Sequence, residues 1–537
     1  MMINSMSAIM RKLTASVFQK PWLLYAAFVL LIIALKWPFI ALPPVWDEAF
    51  SIFPSADFLV QNNFDYLLLL AQPGYSEGGP TAHALSLLTL LTAFILKITG
   101  GGKPAWVILH LLQWLMMAGI GCMLTRIYST LFEKIPALLL SVATLCYPLM
   151  LAQAGYMYIE VPLLFFTVLA FYSYLHNRIW ICSLFLIAAC AVKESGVIAV
   201  GVMFLLVMLE SSGAWGRKIK KACIIAIPAI TAVLALLVFR DYKSDLSIVQ
   251  DQPNACRHVI LTIIVSNLFI YKSYISQIPE MMIIVVGSIL LSIFFLSAHV
   301  YQKVKKRSEQ FNIIIFNSLF ILMFFIFHFI LLPVVQQSDS HFLSRYFFYV
   351  IPSMFLMLYY PIDRALKKPV IKECILFMLI IVFLINRGGM LYPSIPFSSI
   401  AMAERSEEYV NGYQVQEDYI ALIEKKIPKN VPVYLSLPDY FLTRYAVSGY
   451  VTRPLPNANF IGDVLKNEGN RFRYPDHFVL VYSYPWLGGV IIQRMIEDLS
   501  RKKNTFLSKS WSFKKGDFNA YVIEIKMRKG INDKGTN

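Results

Sequence analysis

Two carboxylates, Asp47 and Glu48, follow a long apolar run directly, in the stretch Pro43-Pro44-Val45-Trp46-Asp47-Glu48. Glu77, between Pro73 and Pro80, and then His83 come farther along the same connection. Glu160 follows Tyr156-Met157-Tyr158-Ile159, Lys193-Glu194 interrupt a later apolar run, and His341 precedes Arg345-Tyr346. A carboxylate can take a proton from an attacking hydroxyl or help hold a divalent cation, whereas Lys and Arg meet phosphate. Brought into one pocket, these side chains could run a proton transfer beside an anionic group.

The elements that must position them are set by composition. The 537 residues are 58% hydrophobic and 15% charged, with mean hydropathy +0.61. A soluble globular domain carries about 25% charged residues, so most of this chain is not built for water. Its apolar runs reach the roughly 20 residues that cross a bilayer. The formal charge of +16 does not indicate a nucleic-acid partner, because the cations form short clusters between apolar runs, where they orient helices. The seven Cys are scattered, six in or beside apolar runs and Cys256 alone in a loop. Neither a disulfide framework nor a metal-ligand spacing is present. The run Pro21–Leu42 is too long for a signal peptide and lacks a small-residue cleavage site, so it reads as a retained first helix.

Basic clusters at Arg11/Lys12/Lys20, Arg126/Lys134, Arg178, Arg217–Lys221, Lys303–Arg307 and Arg364–Lys368 mark the cytoplasmic side. They thread an all-α polytopic domain over residues 1–387. Its eleven predicted crossings are about 22–42, 104–125, 136–156, 159–177, 179–192, 195–212, 222–240, 279–301, 311–333, 346–362 and 370–386. Segment 80–99 is apolar enough to span, but a crossing there would invert every later basic cluster. It is therefore expected to lie in the outer interface, within a first outer loop of residues 43–103. All the ionisable residues named above then fall on one face of the membrane, where ionisable groups mark function by default.

Residues 388–537 read as a small soluble α/β domain outside the cytoplasm. Helices are expected at Glu404–Lys426 and Gly489–Lys502, and strands at Val431–Leu437, His477–Tyr484 and Asn519–Lys526. No Gly-rich phosphate loop, nucleophile elbow, metal cluster, internal repeat or low-complexity stretch accompanies them. Arg471, Arg473, Arg501, Lys502, Lys503, Lys514 and Lys515 read as a solvated basic face.

The ordered set resembles the GT-C class of membrane glycosyltransferases, in particular the protein O-mannosyltransferase and aminoarabinose transferase group. A Pro-x-x-Asp-Glu element after the first helix is matched by Pro44-Val45-Trp46-Asp47-Glu48. A Glu-Lys-Pro-Pro element is matched in part by Glu77-Gly78-Gly79-Pro80, and an Asp-x-Pro by Glu160-Val161-Pro162. A Thr-Lys-Glu element is matched by Val192-Lys193-Glu194-Ser195-Gly196, and an Arg-Tyr with a following Pro by Arg345-Tyr346 and Pro352. Order and spacing hold over about residues 20–390. The chain departs from the pattern in having Gly78 where the group has Lys and Glu160 where it has Asp.

The resemblance implies transfer of a sugar from a polyprenyl-phosphate carrier to a lipid, glycan or protein acceptor outside the cytoplasm. Asp47 is then the base, with Glu48 and Glu160 beside it as catalytic carboxylates, and Lys193 and Arg345 the phosphate contacts. Glu77, His83, Glu194 and His341 would line the substrate site. A divalent metal is the one cofactor the set could hold, with no ligand shell set by the spacing. The expected setting is a bacterial inner membrane with the site facing out.

Simpler readings of the same residues exist. Asp47 suits an N-cap, Glu160 suits the first turn of a helix, Lys193 and Glu194 suit a structural pair, and His83 and His341 suit packing. A transporter or flippase of an anionic or lipid-linked solute is the competing function, although transporters usually show internal repeats. A degenerate scaffold is a third reading, kept open by Gly78.

Overall fold

In a computed structural model, the structure describes residues 20–44, 48–70, 86–209, 214–241, 279–301, 309–328, 344–386, 409–435, 439–461, 475–484, 505–516 and 518–527. It is mostly helical, with a five-stranded sheet near the C-terminus.

The apolar runs become α1 (Pro21–Lys36), α2 (Phe53–Gln61), α3 (Leu87–Thr99), α4 (Lys103–Tyr128), α5 (Lys134–Cys146), α6 (Pro148–Ala154), α7 (Glu160–Leu175), α8 (Ile179–Val192), α9 (Val197–Leu209) and α10 (Trp215–Asp241). They continue as α11 (Pro279–Tyr301), α12 (Glu309–Ile326), α13 (Ile351–Ala365) and α14 (Pro369–Asn386). Helices α4, α7, α8 and α10 pack in sequence, α1 lies on α4, and α14 on α5. Large apolar side chains also point outward, among them Trp180, Leu184, Ile283, Leu290 and Phe294. Each would cost about 1.5–3 kcal/mol if left in water, so the bundle's outer surface suits lipid. Helices apolar on every side behave this way in membranes.

Among the described residues, three helical stretches are long and apolar enough to cross a membrane: Pro21–Phe39, α4 and α14. A fourth is formed if α5 and α6, bent by 65°, count as one span. The expected single crossing at 136–156 is therefore broken. The cause is local: Tyr147 precedes Pro148, so its backbone is driven to an extended conformation (φ −56°, ψ 133°), and its ring wedges against Phe355 and Phe383. Six further apolar helices have only 10–17 residues, so helix length by itself carries three or four of the eleven expected crossings.

Segment 80–99 supplies α3, whose 13 residues rise about 20 Å, short of the roughly 30 Å hydrocarbon core. Ser86 caps it by accepting from the Thr89 amide at 3.1 Å. Three successive glycines with positive φ, Gly100, Gly101 and Gly102, turn the chain into α4. Helix α3 packs on α2 and α4, and a small core of Phe53, Leu59, Leu96, Trp106 and Met157 joins them.

The C-terminal unit contains α15 (Tyr409–Lys426), β1 (Val433–Leu435), α16 (Asp439–Arg444), β2 (Ala458–Phe460), β3 (His477–Tyr484), β4 (Thr505–Lys515) and β5 (Phe518–Met527). The strand order is β2-β1-β3-β5-β4. Strands β1, β2 and β3 are parallel, whereas β5 runs antiparallel to both β3 and β4. Strand β3 matches its sequence expectation residue for residue, while β2, β4 and α16 were not foreseen. The expected helix Gly489–Lys502 lies outside the described residues. The core of this unit, including Val433, Val479 and Val522, runs on into Leu42, Ala49, Ala152, Tyr156 and Tyr158. One end of the helical bundle is thereby capped by the sheet domain.

Candidate functional site

Under that cap the bundle buries an unusual number of polar groups. Lys36, Glu48 and Gln153 are fully buried, and His110, Gln113 and Glu160 nearly so. Each is placed by a specific backbone feature. Glu48 opens a π-helical turn, Glu48–Ile52, that runs into α2; such turns recur at functional sites. Glu160 is the first residue of α7. Lys193 lies in the break between α8 and α9, in extended conformation (φ −157°, ψ 143°), before the tight turn Glu194–Gly196.

That break turns the Lys193 ammonium onto Glu160, with Nζ 3.0 Å from Oε1. The second carboxylate oxygen, Oε2, is buried with no hydrogen-bond partner among the described residues. Leaving such an oxygen unmet costs about 1–3 kcal/mol, more for a charged group, as expected of a group kept for a ligand. The simpler sequence reading had Lys193 and Glu194 as a structural pair; Lys193 forms an ion pair with Glu160, across 33 residues of chain.

Helix α4 contributes a polar stripe. His110 Nε2 bonds the Leu42 carbonyl at 3.0 Å, Gln113 Nε2 donates to the Tyr158 carbonyl at 2.6 Å, and Trp114 Nε1 donates to the Ala154 carbonyl at 2.9 Å. These bonds hold the exit from α1 and the α6–α7 turn against one helix. Lys36 leans into the same turn, beside Gly155 and over the Phe39 ring at 4.8 Å. Gln113 Oε1, like Glu160 Oε2, has no hydrogen-bond partner among the described residues.

Glu48 and Gln113 form the polar end of a cavity between α3, α4 and the Glu48–Ile52 turn. Its volume is about 10 Å³, room for about one water, and apart from Thr92 its remaining walls are apolar, with Leu91, Leu112 and Met116 among them. Met157 and Pro162 also line it, so it reaches the turn that presents Glu160. The helices at its mouth turn Leu90, Ile108 and Leu115 outward.

Of the residues singled out from sequence, Glu48, Glu160, Lys193 and Glu194 are placed at this end of the bundle. Arg345 has its backbone in the 3-10 turn Ser344–Tyr349. This turn packs on α7 and α6, and Tyr349 bonds Thr167 at 2.9 Å, about two helical turns from Glu160. Asp47, Glu77, His83 and His341 lie outside the described residues. Lys36, His110, Gln113 and Gln153 were not foreseen. Lys36 reads in sequence as a helix-end lysine reaching for water. His110 and Gln113 were legible in principle, as polar groups inside a long apolar span. Among the described residues no group of three His, Cys, Asp or Glu side chains could hold a metal ion.

Fold and site together define a helical bundle with membrane-length apolar helices, a buried charged cluster at one end and an α/β domain over it. No protein-family model and no curated relative matches the sequence. Two solved structures of ArnT from Cupriavidus metallidurans, one apo and one bound to undecaprenyl phosphate, are similar to it. Each shares 12% identity at a TM-score of 0.40, covering 93% of this chain and 97% of that one.

Proposed function

We propose that this chain is a membrane glycosyltransferase that moves a sugar from a polyprenyl-phosphate carrier to an acceptor outside the cytoplasm. The observation that carries the reading is the buried charged cluster at one end of the bundle, where Glu48 is fully buried and Glu160, ion-paired to Lys193, keeps one carboxylate oxygen without a hydrogen-bond partner among the described residues. A lipid-linked donor would meet that cluster with its phosphate while its chain stays in the bilayer. With the eleven crossings read from the sequence, that end would face the outer interface of a bacterial inner membrane.

In the proposed step the acceptor hydroxyl attacks the anomeric carbon. The new C–O bond forms as the bond to the carrier phosphate breaks, inverting the centre, and the hydroxyl proton passes to Asp47, the residue before Glu48. Glu48 holds the acceptor side of the site. Lys193, held beside Glu160, and Arg345 meet the charge that grows on the departing polyprenyl phosphate. Glu77, His83, Glu194 and His341 are the remaining candidates for contacts to sugar and acceptor. A divalent metal would add charge at the same phosphate; the residues proposed to help hold it are Glu48, Glu77, His83 and Glu160, and the step as written uses side chains alone.

The test is transfer by the purified chain in detergent from radiolabelled undecaprenyl-phosphate sugars, comparing wild type with Asp47→Ala. Label leaving the carrier in the wild type alone supports the reading. Equal activity of both would remove Asp47 as base, and inertness of both across several donors would remove the transferase.

A further inference from the structure

The C-terminal domain touches the polar end of the bundle through one short turn. After α16, residues Ala446–Ser448 form a 3-10 turn that packs on α2, while α16 itself lies against the Glu48–Ile52 turn. The Ser448 hydroxyl donates to the Ala49 carbonyl at 2.5 Å, a buried bond between residues 399 positions apart. Gly449 follows with φ +82°, and a Cβ there would overlap the Trp106 ring of α4. Tyr450, buried next in the chain, lies close enough to Glu48 to feel its charge.

Turn and sheet are tied together from behind. Asp439, the first residue of α16, is fully buried and accepts from Gln416 Nε2 at 2.7 Å and Ser483 Oγ at 2.8 Å. Ser483 stands near the carboxyl end of β3, and α16 follows β1. Strands β2 and β3 flank β1 on opposite sides, so the carboxyl ends of β1 and β3 form the switch point where open α/β sheets bind ligands. Here that edge is closed by Asp439 and its partners, and it fixes the 446–450 turn in place of a ligand.

A docking contact needs only apolar surface, and Tyr156, Tyr158 and Tyr413 already supply it. A hydrogen bond to the carbonyl of the residue after Glu48 does something more specific. A π-helical turn departs from the usual backbone bonding of a helix, and an external donor on its carbonyl holds the turn in one arrangement. We propose that Ser448 and Gly449 are positioning residues: through Ala49 and Trp106 they hold the Glu48–Ile52 turn, and so the Glu48 carboxylate, in the geometry for transfer. The proposal rests on the glycosyltransferase reading.

The experiment compares the full-length chain in detergent with Ser448→Ala, Gly449→Ala and, as control, Lys526→Ala on the exposed part of β5. Hydrogen exchange is followed at the amides of residues 48–53, and kcat and KM are measured with an undecaprenyl-phosphate sugar. Local exchange should speed about tenfold, through loss of the buried hydrogen bond in Ser448→Ala and through displacement of Trp106 in Gly449→Ala. A Glu48 carboxylate displaced by a fraction of an ångström should lower kcat about ten- to a hundredfold, with KM for the donor unchanged. The Lys526 control should show neither effect. Unchanged exchange at 48–53 would overturn the proposal, as would faster exchange with kcat intact or a loss confined to KM. A wild type inert on every donor fells the transferase reading, and the positioning role with it, while the exchange data separately show whether the contact holds the turn.

Discussion

Lys193 Nζ lies 3.0 Å from Glu160 Oε1, joining the break between α8 and α9 to the first turn of α7. Both side chains are largely withdrawn from solvent, at 14% and 3% exposure. Removing one partner of a buried pair strands the other charge, at a cost of about 3–5 kcal/mol in fully buried cases. With Lys193 part-exposed, Lys193→Met should destabilise by about 2–3 kcal/mol. The double variant with Glu160→Gln should be less damaging than the sum of the singles by about 1–2 kcal/mol. Thermal unfolding of the four proteins in detergent measures this, and additive losses would show that the pair contributes nothing.

The cavity between α3 and α4 makes a separable claim. Leu91 and Thr92 line it, and its volume is about 10 Å³. Leu91→Trp should therefore overpack it and destabilise the protein by about 1–3 kcal/mol, read as a lowered melting temperature in detergent. An unchanged melting temperature would show that the larger ring finds room there.

Burial raises the Asp439 carboxyl above its ordinary range, against the lowering effect of hydrogen bonds from Tyr419, Ser483 and Gln416. A carboxyl whose folded pKa is raised binds its proton more tightly when folded. Its contribution to stability therefore falls as pH rises from the model-peptide value of about 3.9 through the folded pKa. The melting-temperature difference between wild type and Asp439→Asn should shift in favour of the wild type as pH falls towards that range. A difference independent of pH would mean that Asp439 keeps the same affinity for its proton in both states.

Two glycines of the α3–α4 turn separate conformational strain from crowding. Neither Gly100 nor Gly102 has an atom within 4 Å of a would-be Cβ. Gly100 adopts φ 75°, ψ 11°, which other residues can reach, so Gly100→Ala should cost about 1 kcal/mol. Gly102 adopts φ 68°, ψ −156°, a region essentially reserved for glycine, and Gly102→Ala should cost about 1–3 kcal/mol. Equal melting temperatures for the two variants would contradict the assigned backbone.

Much of this molecule was determined by its sequence alone. Apolar runs bounded by Lys, Arg, Pro and Gly set the helices, and α8 and α11 have the bounds read from the sequence, because periodicity and breakers act over a few neighbouring residues. The β-branched and aromatic run His477–Tyr484 set β3 in the same way. Only tertiary structure decided which polar groups meet. Glu160 and Lys193 are 33 residues apart, and Ser448 and Ala49 are 399 apart; no local pattern encodes either pairing. The buried set of Lys36, His110, Gln113 and Gln153 was equally hidden, since a polar side chain on an apolar helix looks the same in sequence whether it faces lipid, water or a partner. Burial depends on the elements that close over a residue, and here those elements include a domain encoded hundreds of residues later.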